Sequence, residues 1–133
     1  MTLVFGDTWY YLALLNRRDT GHESAYRWSA ANARPVVLTD FVLLEVGDAF
    51  SRGSARERFL RLVALLRSDP NTTVVPADRE LLERGLRLFA ERPDKDWSLT
   101  DCISFVVMRE RGIAEALTAD HHFEQAGFTI LLK

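Results

Sequence analysis

Short apolar runs alternating with longer helical stretches constrain this chain more than any other feature of its sequence. "TLVF" (Thr2 to Phe5), "PVVL", "NTTVVP", "EALTAD" and "FTILL" read as strands, each bounded by turn-forming or polar residues. Helices are expected between them: Thr8 to Asn16, Gly21 to Ala33 before Pro35, "TDFVLLEVGDAFSR" with Thr39 as N-cap, and "ARERFLRLVALLRSD" after Gly53-Ser54. Further on come Ala77 to Glu91, ended by Pro93-Asp94, then Leu99 to Arg111, stopped by a left-handed Gly112, and a short turn in "HHFEQAG". Strands alternating with helices require right-handed crossovers. The expected fold is therefore α/β: a mostly parallel sheet of about five strands, covered by helices on both faces in three layers.

The 133 residues carry no repeat or linker and are expected to form one domain, 1–133. With 47% hydrophobic residues the chain can bury a real core, yet no apolar run approaches the ~18 residues of a membrane span. The first residues lack the basic and small-residue pattern of a signal peptide, and Cys102 is the one cysteine, so a cytoplasmic location is expected. A net charge of −2 disfavours coating of nucleic acid by bulk attraction. Fifteen arginines against two lysines leave local phosphate contacts open, with the densest tract running from Arg52 to Arg67.

In parallel sheets the ligand sits outside the carboxyl ends of the strands. Asp7 follows the first strand and Asp120 the fourth; Asp101 opens the helix that leads into the fourth. Glu45 lies about one and a half turns into the helix after the second strand, with Phe41, Val42, Val46 and Ala49 around it. Asp7 and Asp120 could simply cap helices, and Asp101 could belong to a capping box with Ser98. Glu45, on an apolar face, reads as buried and in need of a partner. Acids clustered without bases repel one another, and a hard cation removes that cost. Oxygen donors suit Mg²⁺ or Mn²⁺ rather than zinc.

An aspartate after strand one, a glutamate in "FVLLEV", the "SLTDCISF" segment and "LTADHHF" occur in that order. This arrangement resembles the PIN-domain ribonucleases, particularly the VapC-type toxins of toxin–antitoxin pairs, over Thr2 to about Ile130. The resemblance implies a PIN-like sandwich and a Mg²⁺-dependent endoribonuclease in which Mn²⁺ can substitute. Water would attack phosphorus in line, leaving 5′-phosphate and 3′-hydroxyl ends. Asp7, Glu45, Asp101 and Asp120 take the metal-binding and catalytic positions, with Asp120 acting through water. Thr8, Thr100, Ser98 and Asp96 are candidates for orienting them. The same resemblance implies a small antitoxin partner, pairing of subunits as a homodimer, and no membrane association. Arg52, Arg56 and Arg61 are candidate contacts to RNA or to that partner.

Other readings stay open. A catalytically idle PIN scaffold that binds RNA or protein would not need four acids, and another Mg²⁺-dependent phosphohydrolase could share the sheet. A phospho-receiver lacks its acceptor aspartate after "NTTVVP". The adjacent His121 and His122 should point apart, and neither is expected to be needed for catalysis. Trp97 is expected to pack beside the acidic edge, with base stacking as the alternative. The first helix, apolar on nearly every side, is expected to present a surface to a partner.

Overall fold

The computed structural model describes residues 2–133. Five strands form one parallel sheet: β1 Val4–Gly6, β2 Val36–Thr39, β3 Thr72–Val75, β4 Glu115–Leu117 and β5 Thr129–Ile130, in the order β3-β2-β1-β4-β5. The helices are α1 Thr8–Leu15, α2 His22–Ala31, α3 Asp40–Ala49, α4 Ser54–Ser68, α5 Arg79–Glu91, α6 Leu99–Arg111 and α7 His121–Gln125. The expected α/β sandwich is therefore present, and its sheet is parallel throughout.

From β1 the chain winds outward through β2 to β3, then returns to lay β4 on the other side of β1. Because crossovers are right-handed, the two winding directions put their helices on opposite faces. Thus α1 packs on α2 and α3, while α5 packs on α6. The reversal between β1 and β4 opens a crevice at the carboxyl ends of these two strands. Gly6 pairs with Leu117 there, so the next residues out, Asp7 and Thr118, face each other across it.

Local chemistry explains the helix ends. Thr39 caps α3 by accepting from the Val42 amide at 3.1 Å, and Asp78 caps α5 from Leu81 at 2.8 Å. Gly112 ends α6 at φ 66°, in the left-handed region. The expected partner face on α1 is not found. Tyr10, Tyr11 and Ala13 are buried, and Trp9, Leu12, Leu14 and Leu15 are packed against the core. A helix apolar all round is here a helix packed on α2 and α3, with Trp9, Leu12, Leu14 and Leu15 half-buried. Among the described residues the exposed large apolar side chains lie elsewhere, with Leu44, Leu60 and Leu65 on α3 and α4 and Leu86 and Phe89 on α5.

α5 and α6 approach closely because Gly85 has no Cβ; one built there would overlap the Ile103 side chain. Overpacking of this kind costs about 1–3 kcal/mol. Gly85→Ala should therefore lower the unfolding free energy by that amount, read as a lower urea midpoint with an unchanged m-value, although alanine is the better helix former. A stabilised Gly85→Ala chain would show that the two helices are not in tight contact.

Candidate metal centre

Asp7 stands at the N-cap position of α1, yet its side chain makes no capping hydrogen bond. Its Oδ2 instead accepts from the Thr118 hydroxyl at 2.8 Å, across the crevice between β1 and β4. The Thr118 oxygen in turn accepts from the Asp120 amide at 3.0 Å. Asp120 caps α7 by accepting from the His122 amide at 2.9 Å. Asp101 completes a reciprocal capping box with Ser98, at 2.9 and 3.1 Å. The capping role thus holds for Asp101 and Asp120 and fails for Asp7.

The three aspartates form one electrostatic group. Asp7 is 5% exposed. Burial, with repulsion from Asp101 and Asp120, pushes its carboxyl up to about 7 despite the Thr118 hydrogen bond. Burial also raises Asp101, with repulsion from Asp120 adding to it; the Ser98 amide and His122 act in the opposite direction. Among the described residues no lysine or arginine lies within 4 Å of any of the three.

His122 enters this group from α7. Its Nδ1 lies 3.1 Å from Asp101 Oδ2 and 3.5 Å from Asp120 Oδ1. The two histidines do not point apart as expected: their ring centroids are 4.6 Å apart, and His121, though exposed, brings its Nδ1 to 3.7 Å from Asp120 Oδ1, so both are neighbours of the site. The α7 turn holds its place through Phe123, which is fully buried against Phe105 at 4.9 Å between ring centroids. Phe105 also carries Trp97, edge-on at 5.0 Å. Trp97 is 4% exposed and donates to Gln125, so packing, not base stacking, is its role.

Glu45 departs from expectation by being exposed. The buried stripe of α3 is Val42, Leu43, Val46 and Phe50, and Glu45 sits about a third of a turn round from its centre. Its apolar neighbours flank the core-facing stripe instead of enclosing the carboxylate. The charges that reach Asp7 come from Asp101 and Asp120, not from Glu45. Of the accompanying residues, Thr8 is buried with its hydroxyl unpartnered, Ser98 caps α6, Thr100 is half-buried in its first turn, and Asp96 is exposed.

These residues fit a divalent cation. Three carboxylates without a lysine or arginine partner among the described residues, one of them buried at a cost in ionisation, are stabilised by a positive ion. The unsatisfied Thr8 hydroxyl beside Asp7 is a further oxygen at the same edge. Donor atoms of Asp120, His121 and His122 also gather within 4.8 Å of one another, which adds imidazole nitrogen to the carboxylate oxygens.

The PIN domain family profile matches residues 4–129. The 23S rRNA-specific endonuclease VapC20 of Mycobacterium tuberculosis is 29% identical over 126 residues, covering 95% of each chain. The crystal structure of that mycobacterial VapC20, described as a Sarcin-Ricin loop cleaving toxin, superposes with a TM-score of 0.87 over 98% of this chain and 99% of that one, at 28% identity. The DNA-bound VapBC of Salmonella typhimurium shares the fold at a TM-score of 0.67 and 18% identity, with 98% of each chain covered.

The raised Asp7 fixes a pH dependence. A carboxyl whose folded pKa lies near 7, above its ordinary 3.8, contributes stability that is complete below about pH 4 and lost as pH rises through 7. In metal-free buffer Asp7→Asn should match the parent near pH 4. At pH 8 it should exceed the parent by an amount on the order of a few kcal/mol in urea denaturation. Saturating Mn²⁺ at pH 8 should restore the parent and leave the variant unmoved. A gap that stays flat with pH would mean that Asp7 is well solvated.

Proposed function

This chain belongs to the PIN-domain family, and from that premise we propose that it is a Mg²⁺-dependent endoribonuclease, the toxin of a toxin–antitoxin pair. The observation that carries the reading is the buried Asp7 at the β1–β4 switch point, joined to Asp101 and Asp120 in one acidic group that, among the described residues, has no lysine or arginine partner. A binding module has no use for so costly an arrangement. The likeness to an RNA-cleaving relative over nearly its whole length supports RNA as the substrate.

Asp7, Asp101 and Asp120 would hold the cation, with Glu45 reaching in from the edge of α3. A cation bound there neutralises phosphate charge and makes water a better nucleophile at neutral pH. The chain's own residues supply the positioning. Thr118 fixes one oxygen of Asp7 by donating its hydroxyl to Oδ2. The Ser98 amide and His122 both engage Oδ2 of Asp101. Carboxylates held on one oxygen in this way are pre-oriented for an incoming ion and phosphate.

For the protein partner, the surface moves from α1 to the cleft between α3 and α4. This cleft, of about 570 Å³, is lined by Leu43, Leu44, Phe59, Leu60, Arg56 and Arg67, among others. Leu44 and Leu60 are 64% and 62% exposed, an apolar seat for an amphipathic antitoxin segment. Arg56 would contact that segment, and Arg52 and Arg61 flank it on the exposed surface. Leu86 and Phe89 on α5 offer an apolar patch for pairing as a homodimer.

Asp7→Asn, Asp101→Asn and Glu45→Gln should each reduce RNA cleavage by on the order of a hundredfold or more while thermal melts show a folded chain. Asp120→Asn should be milder. His122→Ala should raise the Mn²⁺ concentration for half-maximal cleavage roughly tenfold, as loss of a carboxylate's hydrogen-bond partner typically does. Full activity in Asp7→Asn would sink the assignment. For the partner, Leu44→Asp and Leu60→Asp should abolish neutralisation by a co-expressed antitoxin, read as loss of growth rescue, with cleavage retained.

A further inference from the structure

A second cleft, of about 610 Å³, lies at the far end of α1 from Asp7, where α1 turns into α2 and meets α4. Its charge is one-sided. Arg17, Arg18 and Arg58 line it, no carboxylate does, and among the described residues none of the three guanidiniums has an acid within 4 Å. In a chain of net charge −2, three unpaired arginines at one spot are a local departure that bulk composition does not explain. By contrast, the α3–α4 cleft sets Asp40 and Asp48 against Arg56 and Arg67 and has no such excess.

The cleft is also pre-organised. Arg58 donates to the Leu15 carbonyl at 2.8 Å, which pins its guanidinium at the C-terminal end of α1. His22 donates from Nδ1 to the Ala13 carbonyl at 2.8 Å, and the ring so fixed stacks on Tyr26. Tyr26 is 56% exposed and presents its ring beside the arginines. Guanidiniums for phosphate with an exposed aromatic ring for a base are the two elements from which single-stranded nucleic acid is bound.

We propose that this cleft is an RNA-contact site that grips the strand flanking the bond to be cut; the proposal rests on the ribonuclease reading and names a place where substrate is held. The eight residues of α1 separate it from Asp7 by about 12 Å. That is a reach of three or four nucleotides, at about 3.4 Å of axis per phosphate in a helical strand. Arg17 and Arg18 take phosphates, Arg58 holds the base of the cleft, and Tyr26 stacks on an unpaired base. The site therefore favours RNA with a looped or single-stranded segment beside the cut.

The test is a salt titration of binding to a fluorophore-labelled RNA stem-loop, read by anisotropy in the full chain without added metal. Arg17→Ser/Arg18→Ser should weaken binding about tenfold and reduce the slope of log affinity against log salt by about 1.4, the loss of two single-strand phosphate contacts. Tyr26→Ala should weaken binding severalfold and Tyr26→Phe should restore it, because the ring and not the hydroxyl stacks. Arg79→Ser/Arg87→Ser on α5 removes the same charge from another surface and should change neither affinity nor slope. Unaltered binding in the Arg17/Arg18 pair, or equal losses in both pairs, would overturn the proposal. So would retained RNA binding with lost antitoxin binding, which would reassign the cleft to an acidic protein segment. The titration reads binding alone, so a parent chain that binds RNA through this cleft but cleaves none would sink the ribonuclease reading and leave the site standing.

Discussion

One hydroxyl holds the acidic edge together. Thr118 donates to Asp7 and accepts from the Asp120 amide, and so ties the end of β1 to the turn that begins α7. A hydrogen bond to a charged group contributes roughly 1.5–3 kcal/mol, less than full desolvation of a carboxylate costs, which is why Asp7 stays raised despite it. The protein thus keeps an acid in a place where it ionises reluctantly. A bound cation would offset the difference. The site is in that sense incomplete by construction, and its orientation is set before anything binds.

The positions of these groups follow from the winding of the chain. β1 is central, with β2 and β3 on one side and β4 and β5 on the other, and the crevice opens where the winding reverses. Asp7 and Thr118 are 111 residues apart and meet only because the β1–β4 register aligns Gly6 with Leu117. The aromatic group of Trp97, Phe105, Phe123 and Phe128 then sets the α7 turn behind the acids, without which Asp120 and His122 would have no fixed place.

What was legible in the sequence is what local chemistry decides. Alternating strands and helices, the Thr39 cap, the Ser98–Asp101 capping box and the left-handed Gly112 all depend on residues within a few positions of each other. What was not legible depends on which surfaces meet. Glu45 has apolar neighbours in sequence, but the buried stripe of α3 passes to one side of it. The apolar surface of α1 was read as a partner's seat because its covering by α2 and α3 is a tertiary fact. His122 and Thr118 were missed as neighbours of the acids because no spacing rule brings α7 onto α6 or β4 onto β1.

The two ends of α1 make opposite electrostatic demands, and one helix reconciles them. At its N-terminal end stands a buried aspartate among like charges, where the helix dipole partly compensates the negative charge. At its C-terminal end the last carbonyls carry partial negative charge, and Arg58 donates to the one on Leu15. A polyanion approaching a surface of net negative charge is repelled except where guanidiniums gather, and is drawn to the acids only once a cation sits on them. Attraction at the arginine end and neutralisation at the acidic end would therefore act on different parts of one strand. The span of α1, apolar and packed against the core, holds the distance between them fixed.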